Sequence, residues 1–390
     1  MLKKTLLKLF SCAATLMALS PLQAQMYTNA CGDLSCCNPC NGCQDPFWLQ
    51  ADYLYWQVQD SPKVIPLVIE QPVVDGPFTV VLGDKKTNND WHSGGRFTLG
   101  YWFDACDSLG AEAEYFFLGK TSKHSHVASD ADGSPRLRVP YFNVTTGLPD
   151  SSALATPGLY SGTASLDISN KMQGAELNLV KGIPLRCASN FKVLAGFRYW
   201  NFEDTLLFSA TSPLITPPTV YDYQDKFHTQ NNFYAGQIGA WFREDFYSFF
   251  FDVKGKVALG AMCQQSNVEG FFETNEFTGS VETFVGGFFA LPTNIGHHKK
   301  TRFAVIPELN INFGYHITDN ICIHLGYSGM YASEVLRASK QMSSKLNPTQ
   351  SANIEFTSTP VLVGEASPKA RLRSTGLWAQ GVNGGLDFTF

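Results

Sequence analysis

The sequence carries little charge: Asp, Glu, Lys and Arg together make up 16% of its 390 residues. Disorder needs high charge and few aromatics, and this chain has 30 Phe, 15 Tyr and 7 Trp, so a disordered chain is excluded. An excess of positive charge is also missing. The formal net charge is −5, which leaves no basic field to draw in nucleic acid. Past the N-terminus no apolar run reaches the roughly 20 residues that a spanning helix needs, because Gly, amides or charges cut every later stretch. The nucleophile elbow G-x-S-x-G, a phosphate-binding glycine loop and a solenoid repeat are absent as well. The chain therefore reads as a non-enzyme with no cofactor and no metal site.

What is present begins with an export signal. Lys3, Lys4 and Lys8 precede an apolar run from Leu9 to Leu19, and Leu22-Gln23-Ala24 offers a cleavage site after Ala24. The run is short for a membrane anchor, and a lipoprotein reading at Leu9-Phe10-Ser11-Cys12 would shorten it further. The expected organisation is a signal peptide over 1–24, a Cys-rich periplasmic segment over 25–46 and a β-domain over 47–390. With 33 Gly, abundant aromatics and mean hydropathy near zero, that domain fits a membrane barrel, whose strands are apolar on one face only.

Period-2 alternation recurs through the domain. Phe97, Leu99, Tyr101 and Phe103 share one face; Arg96, Thr98 and Gly100 share the other. Similar patterns carry Tyr115 and Phe117 opposite Glu112 and Glu114, and Phe197 and Tyr199 opposite Lys192 and Arg198. Further along, Phe313 and Tyr315 stand opposite Glu308 and His316, and Ile323 and Leu325 opposite Cys322 and His324. Strands are predicted at about 47–58, 93–104, 109–120, 171–183, 191–208, 226–243, 247–260, 302–317, 320–335 and 377–390. Short turns follow the even strands: Ala105 to Ser108, Pro184 to Asn190, Glu244 to Phe246, and Thr318 to Asp319. Long connections follow the odd ones, over 59–92, 121–162, 209–224, 261–300 and 338–375. Short periplasmic turns against long external loops is the outer-membrane arrangement. The predicted fold is an all-β, antiparallel up-and-down transmembrane barrel of about 10 strands. Twelve stays open, because Val64 to Leu82 and Val281 to Leu291 are external hairpins or extra wall strands. His297-His298-Lys299-Lys300 reads as a solvated loop tip.

The last strand puts Trp378, Val382, Leu386, Phe388 and Phe390 on one face and stops at the terminal Phe. It resembles the C-terminal strand read by the barrel-assembly machinery, with Phe388 and Phe390 as the signal. Each Lys or Arg facing the lipid midplane would cost roughly 2–4 kcal/mol. The charged face is therefore assigned to the lumen: Asp52, Arg96, Glu112, Glu114, Glu176, Lys192, Arg198, Arg243, Asp252, Lys254, Lys256, Glu308, His316, His324 and Asp387. These side chains either line a polar pore or form a salt-bridged plug. Of ten cysteines, Cys31, Cys36, Cys37, Cys40, Cys43, Cys106, Cys187 and Cys322 map to the periplasmic side and are disulfide candidates in an oxidising compartment. Cys263 lies toward an external end. The mature count is odd, which suits cross-links to other envelope proteins or to a second copy. The C-x-x-C spacings at Cys37–Cys40 and Cys40–Cys43 also suit a metal, but there is no local His.

Several stretches resemble the β-barrel porin type 7 family: GGRFTLGYWFD at 94–104, FKVLAGFRYWNFEDTLLF at 191–208, DKFHTQNNFYAGQIGAWF at 225–242, FFFDVKGKVALG at 249–260 and FAVIPELNINFGYHITDNICIHLGYSGMYASEVLR at 303–337. The resemblance runs from about Phe47 to Phe390. It departs at Ala235 and Ile238, where the family pattern has Gly and Leu, and the Cys-rich leader lies outside it. It implies an outer-membrane barrel and a pore, and no active-site residues. The expected function is a weakly selective pore for small hydrophilic solutes, seated in outer-membrane lipid and cross-linked through periplasmic disulfides. The alternative is a non-conducting structural or adhesive surface protein.

Overall fold

The computed structural model describes residues 46–73, 76–85, 91–104, 108–186, 189–216, 219–352, 360–370 and 372–390. Among them the strands follow in chain order as β1 (Phe47–Val58), β2 (Pro66–Glu70), β3 (Thr79–Gly83), β4 (Trp91–Trp102), β5 (Leu109–Ala128), β6 (Leu137–Asn143), β7 (Leu148–Ala155), β8 (Thr163–Arg186), β9 (Ser189–Pro213), β10 (Val220–Phe246), β11 (Phe249–Asn275), β12 (Val281–Val285), β13 (Gly296–Thr318), β14 (Ile321–Leu336), β15 (Lys345–Leu346) and β16 (Ser374–Thr389).

Ten of these close into an antiparallel barrel in the order β10-β9-β8-β5-β4-β1-β16-β14-β13-β11, with β11 returning to β10. The first and last strands meet at a seam. Phe47 N donates to Phe390 O and Phe390 N to Phe47 O, each at 3.0 Å, and the two rings stack 5.8 Å apart. The C-terminal Phe thus closes the ladder around the barrel. The additional β-segments do not enter the wall: β2, β3, β6, β7 and β15 form a separate five-stranded sheet, and β12 only extends the upper end of β11.

The alternation sorts as a barrel requires. Tyr101, Phe197 and Phe313 are 41%, 51% and 57% exposed; in a sandwich they would be core. With Leu99, Leu177, Ile238, Leu259 and Leu325 they make an apolar belt around the outside. It starts at the short turns and ends near Tyr234 and Phe303, above which the same face carries His228, Gln230, Gln265 and Lys299.

The strands do not stop where the belt does. A membrane-crossing strand needs about 9–11 residues, yet β10 and β11 have 27 residues each. β5, β8, β9 and β13 are also long, whereas β1 and β4 have 12 residues each. The wall is tall on one side and low on the other. This corrects three of the expected loops. Between β9 and β10 only 214–219 connects the strands, and much of 121–162 and of 261–300 is strand. The physical reason is a second core. Leu206, Phe208, Tyr223, Phe227, Val268 and Phe272 continue the inward parity above the belt, and they pack against Leu67, Val68, Leu137, Val139 and Leu154 of the small sheet. Outward polarity marked the end of the belt, not the end of the strands.

A short loop over 286–291 plugs into this core through a buried carboxylate. Asp225, above the belt on β10, accepts the backbone N–H groups of Phe288 (3.1 Å), Phe289 (3.1 Å) and Ala290 (2.8 Å). A Cβ at Gly287 would lie 2.4 Å from Asp225 Oδ1, so the approach requires glycine. Burial pushes the Asp225 carboxyl up to about 7 from its ordinary 3.8, and the three amides only partly offset it. The folded state therefore binds a proton that the unfolded chain releases. Its stabilising effect is full below about pH 3.8 and is lost as pH rises through about 7. Hydrogen exchange of 286–291 is expected to be slowest near the acid end of that window and to level off above it. Asp225→Asn should flatten the profile, and identical profiles for the two proteins would refute the assignment.

Candidate functional site inside the barrel

The inward positions stack in layers, because paired strands bring alternate residues to common heights. At the middle of the belt β5, β8, β9, β11 and β13 bring eight charged side chains together with β4. Lys256 Nζ lies 2.9 Å from Glu176, 3.2 Å from Glu114 and 3.6 Å from Glu308. Arg198 bridges Glu308 (2.5 Å) and Glu176 (3.4 Å). Arg96 reaches Glu308 (3.5 Å), Glu114 (3.7 Å) and Asp52 (3.9 Å), and donates to Asn310 Oδ1 at 3.0 Å. Lys254 holds Glu112 at 2.8 Å. Gln237 Nε2 donates to Glu176 Oε2 and Asn178 Nδ2 to Glu112 Oε1, the oxygens that also accept from Lys256 and Lys254. Arg96, Arg198, Lys254 and Lys256 thus face Glu112, Glu114, Glu176 and Glu308, four cations to four anions.

Above this layer the interior turns apolar. Trp56, Phe116, Trp200, Phe202, Phe233 and Met262 are buried together, with Trp200 and Phe202 stacked at 6.1 Å and Arg96 set against the Trp56 ring at 5.5 Å. Higher still, Arg337 donates to Asp204 Oδ2 (2.9 Å), to Ser61 Oγ (2.8 Å) and to Gln59 O (3.2 Å). Asn231 holds both the N–H and the C=O of Leu336. The chain after β14 is thereby pinned inside the barrel mouth.

Below the central layer, toward the short turns, Lys192 Nζ sits among the rings of Trp241 (4.4 Å), Trp102 (4.7 Å) and Trp48 (5.7 Å). His324 is held between Asp52 (2.8 Å) and Asp387 (3.3 Å). Asp252 accepts from Asn312 Nδ2 at 3.1 Å. Last comes a group at the mouth itself. The Cys322 Sγ lies 3.1 Å from His316 Nδ1, His316 Nε2 lies 3.1 Å from Asp245 Oδ1, and Arg243 Nε donates to Asp245 at 3.2 Å.

The charged residues assigned to the lumen from sequence lie on the inward face of the barrel at several heights instead of in one ring, and Asp52 links two of the levels through Arg96 and His324. Sequence reasoning missed Trp56, Trp200, Phe202 and Asp204. Their signal was available: Trp200, Phe202 and Asp204 continue the parity of Arg198. Arg337 had none, since it follows the last residue of a strand. Of the disulfide candidates, Cys31, Cys36, Cys37, Cys40, Cys43, Cys106 and Cys187 lie outside the described residues. Among the described residues Cys322 is a free thiol, and its strand parity turns it into the barrel, toward His316. Cys263 is free as well.

A closed antiparallel ten-stranded wall with a belted exterior and a charged interior defines a porin-like β-barrel. The sequence places it further: residues 48–390 match the family described as "Putative beta barrel porin-7", and the chain belongs to that family. Among solved structures, the chain is similar to the outer membrane protease OmpT of Escherichia coli (9% identity, 89% of this chain and 97% of that one, TM-score 0.42). It is also similar to a Pseudomonas aeruginosa FadL homologue (7% identity, 89% and 90%, TM-score 0.23) and to the monoaromatic hydrocarbon channel CymD (9% identity, 89% and 89%, TM-score 0.20). At these values the likeness assigns no activity to this chain. No curated protein matches it.

Removing one partner from a buried ion network costs about 3–5 kcal/mol, whereas an exposed pair is worth about 0–1 kcal/mol. Arg198→Ala should therefore lower unfolding stability in lipid by the larger amount and Lys171→Ala, at the outer Lys171–Glu203 pair, by the smaller. Equal urea midpoints for the two variants would show that the central network is not what holds the wall.

Proposed function

We propose that this chain is an outer-membrane barrel whose lumen is closed at rest, and whose working surface is the tall wall with its small sheet. The observation that carries this is the pair of stacked layers: eight charges neutralising one another, roofed by Trp56, Trp200, Phe202 and Phe233. An eight-stranded interior is just wide enough for side chains to fill, and a ten-stranded one with Trp, Phe, Arg and Lys on the inside is filled by the same means. Short turns face the periplasm in bacterial barrels, so the tall wall and sheet stand outside the cell, where a structural or adhesive role is served. Outer-membrane lipid covers the belt. Phe388 and Phe390 serve the assembly machinery before Phe390 closes the seam.

A weakly selective pore is the second reading, and membership of the porin family favours it. The four-to-four balance of charge would give such a pore little preference between ions. Planar-bilayer recording separates the two. The folded protein is expected to give no conductance steps, and regular steps from the wild type would overturn the closed reading.

Cross-linking through the cysteine leader is a separate proposal, supported by the count and spacing of its cysteines. Envelope fractions run without reductant should show higher bands that collapse to monomer when thiol is added. A monomer band indifferent to reductant would end it.

A further inference from the structure

The group at the short-turn mouth is used by neither reading. It is assembled from three strands: Asp245 and Arg243 at the end of β10, His316 near the end of β13 and Cys322 at the start of β14. Tight turns after β10 and β13 fix the strand ends, and inward parity aims all four side chains at one spot. Arg243 Nε holds Asp245 at 3.2 Å, and its guanidinium rests on the Phe250 ring at 3.7 Å. Phe250 also meets the His316 ring edge-on at 5.5 Å. Asp245 Oδ1 lies 3.1 Å from His316 Nε2, closer than Arg243 Nη2 at 3.5 Å, which favours the tautomer with the proton on Nε2. Nδ1 then presents its lone pair to the Cys322 thiol at 3.1 Å. A nucleophile, a base beside it and a third group orienting the base is the arrangement that activates weak nucleophiles. The remaining charges nearby are accounted for. Asp387 stands opposite Cys322 in register on β16 but faces His324 (3.3 Å), and Asp252 on β11 is held by Asn312. Cys322 itself is 8% exposed, and a small reactant reaches it past His316 and Asp245, whose side chains are 29% and 31% exposed.

The geometry points to Cys322 as a base-assisted thiol that exchanges with small disulfides entering from the short-turn side. In the step, His316 Nδ1 takes the Cys322 proton and Sγ attacks one sulfur of the disulfide R–S–S–R. The S–S bond breaks, Cys322–S–S–R forms, and the leaving R–S⁻ takes the proton back from His316. Electrons and atoms balance with no further reactant. Asp245 is a positioning residue for the imidazole. An oxidising periplasm supplies such disulfides. That supply rests on the orientation proposed above, but the chemistry does not depend on whether the lumen is closed.

The test uses two full-length proteins folded in detergent, one keeping only Cys322 and the other only Cys263, with the other cysteines changed to Ser. Cys263 lies on the outer face of β11 beside the Thr301 hydroxyl (3.9 Å) and serves as the internal reference. Each is incubated with glutathione disulfide, and the mixed disulfide is followed by mass spectrometry from pH 6 to pH 9. Fold is checked by gel migration before and after boiling. At pH 7 Cys322 should react roughly ten-fold or more faster than Cys263. Its pH profile should differ from that of Cys263, as base-assisted attack requires. The Cys263 rate over the same range is the reference profile. His316→Gln should bring Cys322 down to the rate and pH profile of Cys263, and Asp245→Asn should lower the Cys322 rate. A folded protein in which Cys322 reacts no faster than Cys263, or in which His316→Gln changes neither rate nor profile, overturns the inference.

Discussion

Arg198 lies fully inside the wall, between Glu176 and Glu308, and the rest of the interior is arranged around what that position demands. A guanidinium there has two environments open to it, lipid or lumen, and the first costs kilocalories for every such charge. Once in the lumen it must be paired, because a buried charge without a partner is worse than no charge. Glu308 meets this need and in doing so also reaches Lys256 and Arg96. Those cations in turn require Glu114, and through it Lys254 and Glu112. The network is thus complete only when five separate hairpin strands and β4 stand at fixed heights. It acts as a register gauge for the barrel, because a one-residue slip of any of these strands would turn that strand's members outward.

The two layers on either side follow from the same confinement. Above, large aromatic side chains fill space that the charged layer cannot, and they keep water from the network. Below, Lys192 lies against three indole rings, where cation–π attraction replaces part of its lost hydration. Farther out, the tall side of the wall becomes one face of an ordinary soluble core. Two solvents meet along single strands: β10 is apolar-out and polar-in within the belt, then polar-out and apolar-in above it. The inversion happens without any break in the ladder, since hydrogen bonding does not depend on which face is wet.

This inversion explains where sequence reading fell short. Alternation around Phe97, Phe197 and Phe313 identified the wall because lipid selects one face uniformly. At 209–224 the same alternation continued with the faces exchanged, so the pattern read as the end of a strand. Trp200 and Phe202 were passed over for the related reason that aromatics were taken to belong outside. Arg337 and the Leu336 clamp on Asn231 had no periodic mark, because a chain re-entering a barrel mouth obeys no strand period.

By itself the sequence determined the β-barrel architecture and the inward side for the charges of the belt, and it narrowed the strand number to ten or twelve. Those follow from period-2 chemistry against a solvent that tolerates no charge, which is a local property of each strand. Only the tertiary structure decided that there are ten wall strands, that the lumen charges pair with one another, that the external strands enclose a second core, and that Cys322, His316 and Asp245 meet at one mouth. These depend on which strands are neighbours and at what height. That is a relation between distant parts of the chain, set when Phe47 and Phe390 close the seam.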